Sequence, residues 1–188
     1  MIYIVSALHP RSGTTAMMMC LEAAGIPVVQ SEERNKKLQK VNDNEYNAQK
    51  NNFYEIKFDE YFKVNFPLQY KGKAIKIFYQ GLTFIAAHEY RIIFMKRDIE
   101  ETRQSTKYGI RHNPDKYILE NYEGLLNHTV GIMKQRKDVL SIDVVDYYDL
   151  ITYTEEVINK LTWLDNKAVN AIDKNMYRFK KENLVVTA

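Results

Sequence analysis

A parallel β-sheet covered by helices on both faces is the architecture this sequence predicts, and three observations carry the prediction. Short β-rich apolar runs alternate along the chain with stretches whose apolar residues recur at helical spacing, the order of a βαβ layer protein. The first run, Ile2 to Val5, is apolar at every position, as a strand buried on both faces is. A polar loop, Ser6 to Gly13, then leads straight into a helical pattern.

The elements follow in order. Ala16, Met17, Cys20, Leu21 and Ala24 repeat at helical spacing, and Gly25 with Pro27 ends that helix. After a second apolar run (Ile26, Val28, Val29), residues 30–50 turn polar and read as an excursion over the sheet's edge. Residues 51–66 are aromatic and mixed, which predicts a short helix with ordered loops. Ala74 to Phe78 and Arg91 to Met95 are the next strands, and a helix is expected from Ile99 to about Tyr108, stopped by Gly109. Asn113-Pro114 starts another helix, with Ile118, Tyr122, Leu125, Leu126, Thr129 and Met133 on one face. Val139 to Val144 is the fourth strand. Thr154 caps a helix carrying Val157, Ile158, Leu161 and Leu164, and the tail from Asn166 is helical to about Asp173. Repeats, low-complexity tracts and linkers are missing, so residues 1–188 read as one domain.

Composition narrows the classes. With 45% apolar and 27% charged residues the chain is globular, neither disordered nor collagen-like. No apolar run approaches the roughly 18 residues of a membrane span, and the opening segment lacks the basic start of a signal peptide. One cysteine, Cys20, rules out an internal disulfide framework and suits a cytoplasmic protein. A net charge of +3 is too mild to argue for nucleic acid.

The chemistry concentrates in His9-Pro10-Arg11-Ser12-Gly13-Thr14-Thr15. A helix N-terminus presents unpaired N–H groups and a partial positive charge. Gly13 lets backbone approach an anion, Thr14 and Thr15 add hydroxyls, and Arg11 adds a fixed charge, all of which favour phosphate or sulfate. The loop departs from G-x-x-x-x-G-K-[ST], having Leu8 for the first Gly and Thr14 for the Lys. Arg97, at the end of a strand, and Ser105, two helical turns on, are placed to face a second anion on the same edge.

Pro10-Arg11-Ser12-Gly13-Thr14-Thr15 resembles the 5′-phosphosulfate loop of the sulfotransferases, in particular their bacterial and tyrosylprotein-type branch. Arg91 to Asp98 followed by Ser105 resembles that family's 3′-phosphate element. Asn52-Phe-Tyr-Glu55, the strand before Tyr147-Tyr148-Asp149-Leu150 (a Y-x-D-L turn), and Met176-Tyr177-Arg178 resemble further segments of small bacterial and phage members. The resemblance implies a three-layer P-loop nucleotide-hydrolase-like fold. It implies transfer of a sulfuryl group from 3′-phosphoadenosine 5′-phosphosulfate to a hydroxyl or amine on a carbohydrate, peptide or small molecule. Arg11, Ser12, Gly13, Thr14, Thr15, Arg97 and Ser105 would bind the donor, with Arg11 also stabilising charge on the leaving oxygen and no metal required.

For the base, the resemblance points to Glu32 or Glu33, with Glu55 next and His88 only loosely similar to the base of the cytosolic branch. The cytosolic enzymes' C-terminal R-K-G-x-x-G-x-x-K loop has no counterpart beyond Arg178, Lys180 and Lys181, so a partner subunit, as in a homodimer, is one way to complete the site. Two other classes remain open. One is a non-catalytic nucleotide- or anion-binding protein on the same scaffold. The other is a small P-loop kinase, with Asp143 at the end of a Walker-B-like strand to hold magnesium.

Overall fold

The computed structural model describes residues 1–30, 66–110 and 121–173. Four strands, β1 (Ile2–Ala7), β2 (Ala74–Lys76), β3 (Tyr90–Lys96) and β4 (Val139–Asp146), form one sheet in the order β2-β1-β3-β4, every pair parallel. Val28 adds a parallel rung outside β2, with Ala74 N–H donating to Pro27 O at 2.8 Å and Val29 N–H to Ala74 O at 2.9 Å. The chain leaves central β1 toward the β2 side and later returns to lay β3 on the other side. The carboxyl ends of β1 and β3 therefore flank a topological switch point, the place where open α/β sheets form their ligand crevice.

Strand alternation divides the side chains between two cores. Val5, Ala7, Ile93 and Met95 face one side and Ile2, Ile4, Ile92 and Phe94 the other. The first side is covered by helix α1 (Thr14–Ala23), through Met17, Met18, Cys20 and Leu21. Leu150 and Ile151 of α5 (Tyr147–Thr152) and Val157 and Ile158 of α6 (Thr154–Lys160) complete it, with Ala168 of a terminal 3₁₀ segment (Asn166–Ala171). The second side is covered by Leu82 of short α2 (Tyr79–Leu82) and by Tyr122, Leu126, Val130 and Met133 of α4 (Tyr122–Gln135). Helix α3 (Ile99–Ile110) follows β3 and buries a polar face of Glu101, Thr102, Ser105 and Thr106. The fold is thus a three-layer α/β arrangement. Among the described residues no helix is long and apolar enough to cross a membrane.

Several boundaries differ from the expectation for identifiable reasons. Helix α3 runs through Gly109 to Ile110: a glycine lowers helix propensity by about 1 kcal/mol without ending a helix. The helix expected from Asn113 is described from Tyr122, where the Asn121 side chain accepts from Gly124 N–H at 3.2 Å; Asn113 itself lies outside the described residues. Strand β4 continues past Val144 to Asp146, whose carboxylate caps α5 by accepting from Tyr148 N–H at 2.8 Å, so Tyr147 to Leu150 are helix rather than turn. Thr154 is the first residue of α6 and not its cap, its hydroxyl donating instead to Ile151 O at 3.4 Å. Strand β2 ends at Lys76, two residues short of Phe78. Residues 31–65, which include the expected polar excursion and nearly all of the aromatic segment, lie outside the described residues.

Candidate functional site

The loop between β1 and α1 emerges at the switch point. Its turn is held from within, since the Ser12 hydroxyl donates to His9 O at 3.0 Å. His9 is 1% exposed and stacks on the Tyr122 ring, centroids 5.0 Å apart, so it joins the loop to the start of α4. Two residues on either side of Ser12 then stand out. Arg11 has φ 69° and Gly13 φ 86°, both in the left-handed region. Glycine adopts that region freely, while a non-glycine residue there costs on the order of 1 kcal/mol or more. Gly13 is also required sterically: a Cβ would lie 2.2 Å from Cδ2 of the buried Tyr147 ring.

Gly13 is the N-cap of α1, and its position shapes the electrostatics. No side chain caps this helix, and its first turn carries no acidic residue. The first N–H groups of a helix have no intrahelical acceptor, so this end keeps its positive character. Thr14, buried, and Thr15, half-buried, open the helix beside it.

Arg11 adds a cation. Its Nε donates to Ser105 Oγ at 3.1 Å, and it has no carboxylate partner among the described residues. Burial, and after it the neighbouring Arg97 guanidinium, lower its pKa from the ordinary value, with Tyr147 acting in the opposite direction. A partly buried cation beside a second cation is the environment an anion relieves.

Arg97, the residue after β3, is almost wholly buried and fully engaged. Its Nε donates to Glu101 Oε2 at 3.2 Å, with side-chain exposures of 6% and 5%. Its Nη1 donates to the backbone carbonyl of Arg11 at 3.0 Å, and its Cζ lies 4.6 Å from the centre of the Tyr147 ring. The two elements singled out in the sequence, residues 10–15 and Arg97 with Ser105, therefore meet directly: Ser105 holds the Arg11 side chain and Arg97 its backbone.

A cavity of about 680 Å³ opens beside this junction at the carboxyl ends of β3 and β4, within the usual size of a small-molecule site. Its walls include Arg97, Glu123, Tyr148 and Asp149. Lys96 pairs with Asp146 across part of the rim at 3.5 Å.

The other expected residues fall elsewhere. His88 precedes β3 at the opposite edge of the sheet, about 20 Å from the loop at ~3.3 Å per residue along the strand. There its Nδ1 accepts from Glu89 N–H at 2.7 Å and its own N–H donates to Asp138 Oδ2 at 3.0 Å, so it takes no part in the site. Asp143 sits in mid-strand opposite Ile93, level with Val5, short of the edge where the loop emerges. Glu32, Glu33 and Glu55, like Arg178, Lys180 and Lys181, lie outside the described residues. Sequence reasoning missed Glu101, Tyr147 and Tyr122. Only Glu101 left a local signal, its i,i+4 spacing from Arg97 at a helix start. No family model, no curated protein and no solved structure matches this chain.

Proposed function

We propose that the chain binds 3′-phosphoadenosine 5′-phosphosulfate at the β1–α1 loop and transfers its sulfuryl group to a hydroxyl or amine acceptor. The observation that carries the anion site is Arg11: a partly buried guanidinium with no carboxylate partner among the described residues, beside Arg97 and the uncapped, acid-free N-terminus of α1. The choice of a phosphosulfate nucleotide rests on the P-R-S-G-T-T sequence, which the resemblance associates with the 5′-phosphosulfate.

In the reaction an acceptor oxygen or nitrogen attacks sulfur while the bond from sulfur to the 5′-phosphate oxygen breaks, and 3′-phosphoadenosine 5′-phosphate leaves. Arg11 and the α1 N–H groups stabilise charge gathering on the bridging oxygen, a role worth several kcal/mol for well-placed donors, about 3–4 for one oxyanion contact. The acceptor's proton passes to a carboxylate, for which Glu32, Glu33 and Glu55 stay the candidates. The acidic side chains in the adjoining cavity suit a neutral or amine-bearing acceptor better than an acidic one.

The test is a set of melting temperatures with 3′-phosphoadenosine 5′-phosphate, with ATP plus magnesium, and with sulfate, for the native chain and Arg11→Ala. A ligand present at 100 times its Kd stabilises by about 2.7 kcal/mol, and that shift is expected with the bisphosphate and lost in Arg11→Ala. A shift only with ATP plus magnesium replaces this reading with a kinase. Where the bisphosphate binds, release of labelled sulfate from the donor onto an acceptor panel separates an enzyme from a binding protein.

A further inference from the structure

We propose that Arg97 is a positioning residue for the anion loop, and not a ligand of the nucleotide. The argument begins with what its guanidinium already touches. One edge is given to Glu101, a second nitrogen to the Arg11 carbonyl, and one face to the Tyr147 ring. Nε and Nη1 are thus committed, and a swing of the side chain toward a phosphate would break this ion pair, which is costly for a buried carboxylate. The same movement would release Arg11.

The consequence for the loop follows from peptide geometry. In a trans peptide the C=O and the next N–H point in opposite directions. By holding the Arg11 oxygen toward the end of β3, Arg97 aims the Ser12 N–H away from it. It also fixes the left-handed backbone of Arg11, a conformation that persists only where the surroundings over-determine it. Ser105 fixes the same residue's side chain, and Tyr147 fills the space that a side chain at position 13 would need. Glu101, Arg97 and Tyr147 thus form one brace, drawn from α3, the end of β3 and the start of α5, whose load is the shape of the loop.

The ligand half of this inference rests on the nucleotide reading above, while the loop-holding half does not, and the experiment keeps them apart. Amide hydrogen exchange is measured in the ligand-free chain for the native protein, Arg97→Gln, Arg97→Lys and the milder Glu101→Gln. Exchange across residues 9–13 is expected to rise about tenfold in Arg97→Gln, less in Arg97→Lys, with the interior of α1 and β1 unchanged. Unchanged loop exchange, or equal acceleration throughout the fold, overturns the proposal. Affinities for 3′-phosphoadenosine 5′-phosphate and for adenosine 5′-phosphate are then compared. Positioning predicts that Glu101→Gln weakens both by the same factor. A direct 3′-phosphate ligand, freed from its carboxylate, would bind the bisphosphate more tightly and leave the monophosphate alone, and that result also overturns it. If the native chain binds neither nucleotide, the function proposed above fails, and the exchange data still decide whether Arg97 holds the loop.

Discussion

Two helices start side by side at the same edge of the sheet, and they end their N-termini in opposite ways. Helix α3, after β3, is closed by its own side chains: Asp98 Oδ1 accepts from Glu100 N–H at 2.8 Å and from Glu101 N–H at 3.2 Å, and both of those residues are acidic. Helix α1, after β1, has a left-handed glycine in the cap position, no acidic residue in its first turn, and arginines nearby instead of carboxylates. Strand, loop and helix follow in the same order in both. What differs is whether side chains of the chain close the helix end, as at α3, or none does, as at α1, and Glu101 bears on both by standing in the first turn of α3 and pairing with the Arg97 that holds α1's loop.

The comparison can be broken at either helix. The largest effect is expected for Glu101→Ala, which leaves Arg97 buried without its partner and should cost about 3–5 kcal/mol in urea unfolding. A value under about 1 kcal/mol would mean the pair carries no such strain. Gly13→Ala comes next, because the new methyl meets the Tyr147 ring at a backbone angle that alanine avoids; a loss of about 2–3 kcal/mol is expected, and combining it with Tyr147→Leu should recover part of it. Asp98→Ala removes the cap of α3, so about 1 kcal/mol of stability is lost while the bisphosphate-induced melting shift is retained. Smallest in energy and sharpest in meaning is Thr15→Glu, which gives α1 the acidic first turn that α3 has. It should raise stability by about 0.3–1 kcal/mol and at the same time weaken bisphosphate binding. Intact binding would show that the open end of α1 is not the anion site.

The layers were legible because their signals are local. Ile2 to Val5, Arg91 to Met95 and Val139 to Val144 read as strands from composition alone, and each was found within a residue or two of its observed bounds. The loop that carries Arg11 and Gly13 between strand and helix was also legible, although the Tyr147 ring that excludes a side chain at position 13 was not. The interactions that give the loop its shape were not. Tyr147 lies 134 positions from Gly13 and Tyr122 lies 113 from His9, and no periodicity reports a contact between residues so far apart. Thr154 misled for a related reason: its hydroxyl donates to the Ile151 carbonyl of the preceding helix.

The central position of β1 has a price in time. Its partners are Ala74 to Lys76 on one side and Tyr90 to Met95 on the other, so none of its neighbours is near in sequence. At ribosomal rates of about 5–20 residues per second, Tyr90 follows Ile2 by roughly 4–18 seconds. Until then a strand of almost unbroken apolar residues has at most the short β2 to pair with, and closing loops of this length is slow even when the partners have arrived. Strand β1 is made before both of its partners and can be seated only after them. The yield of folded protein at high temperature is therefore expected to fall faster than its folded stability would suggest, a difference that refolding yields measured against melting temperature would show.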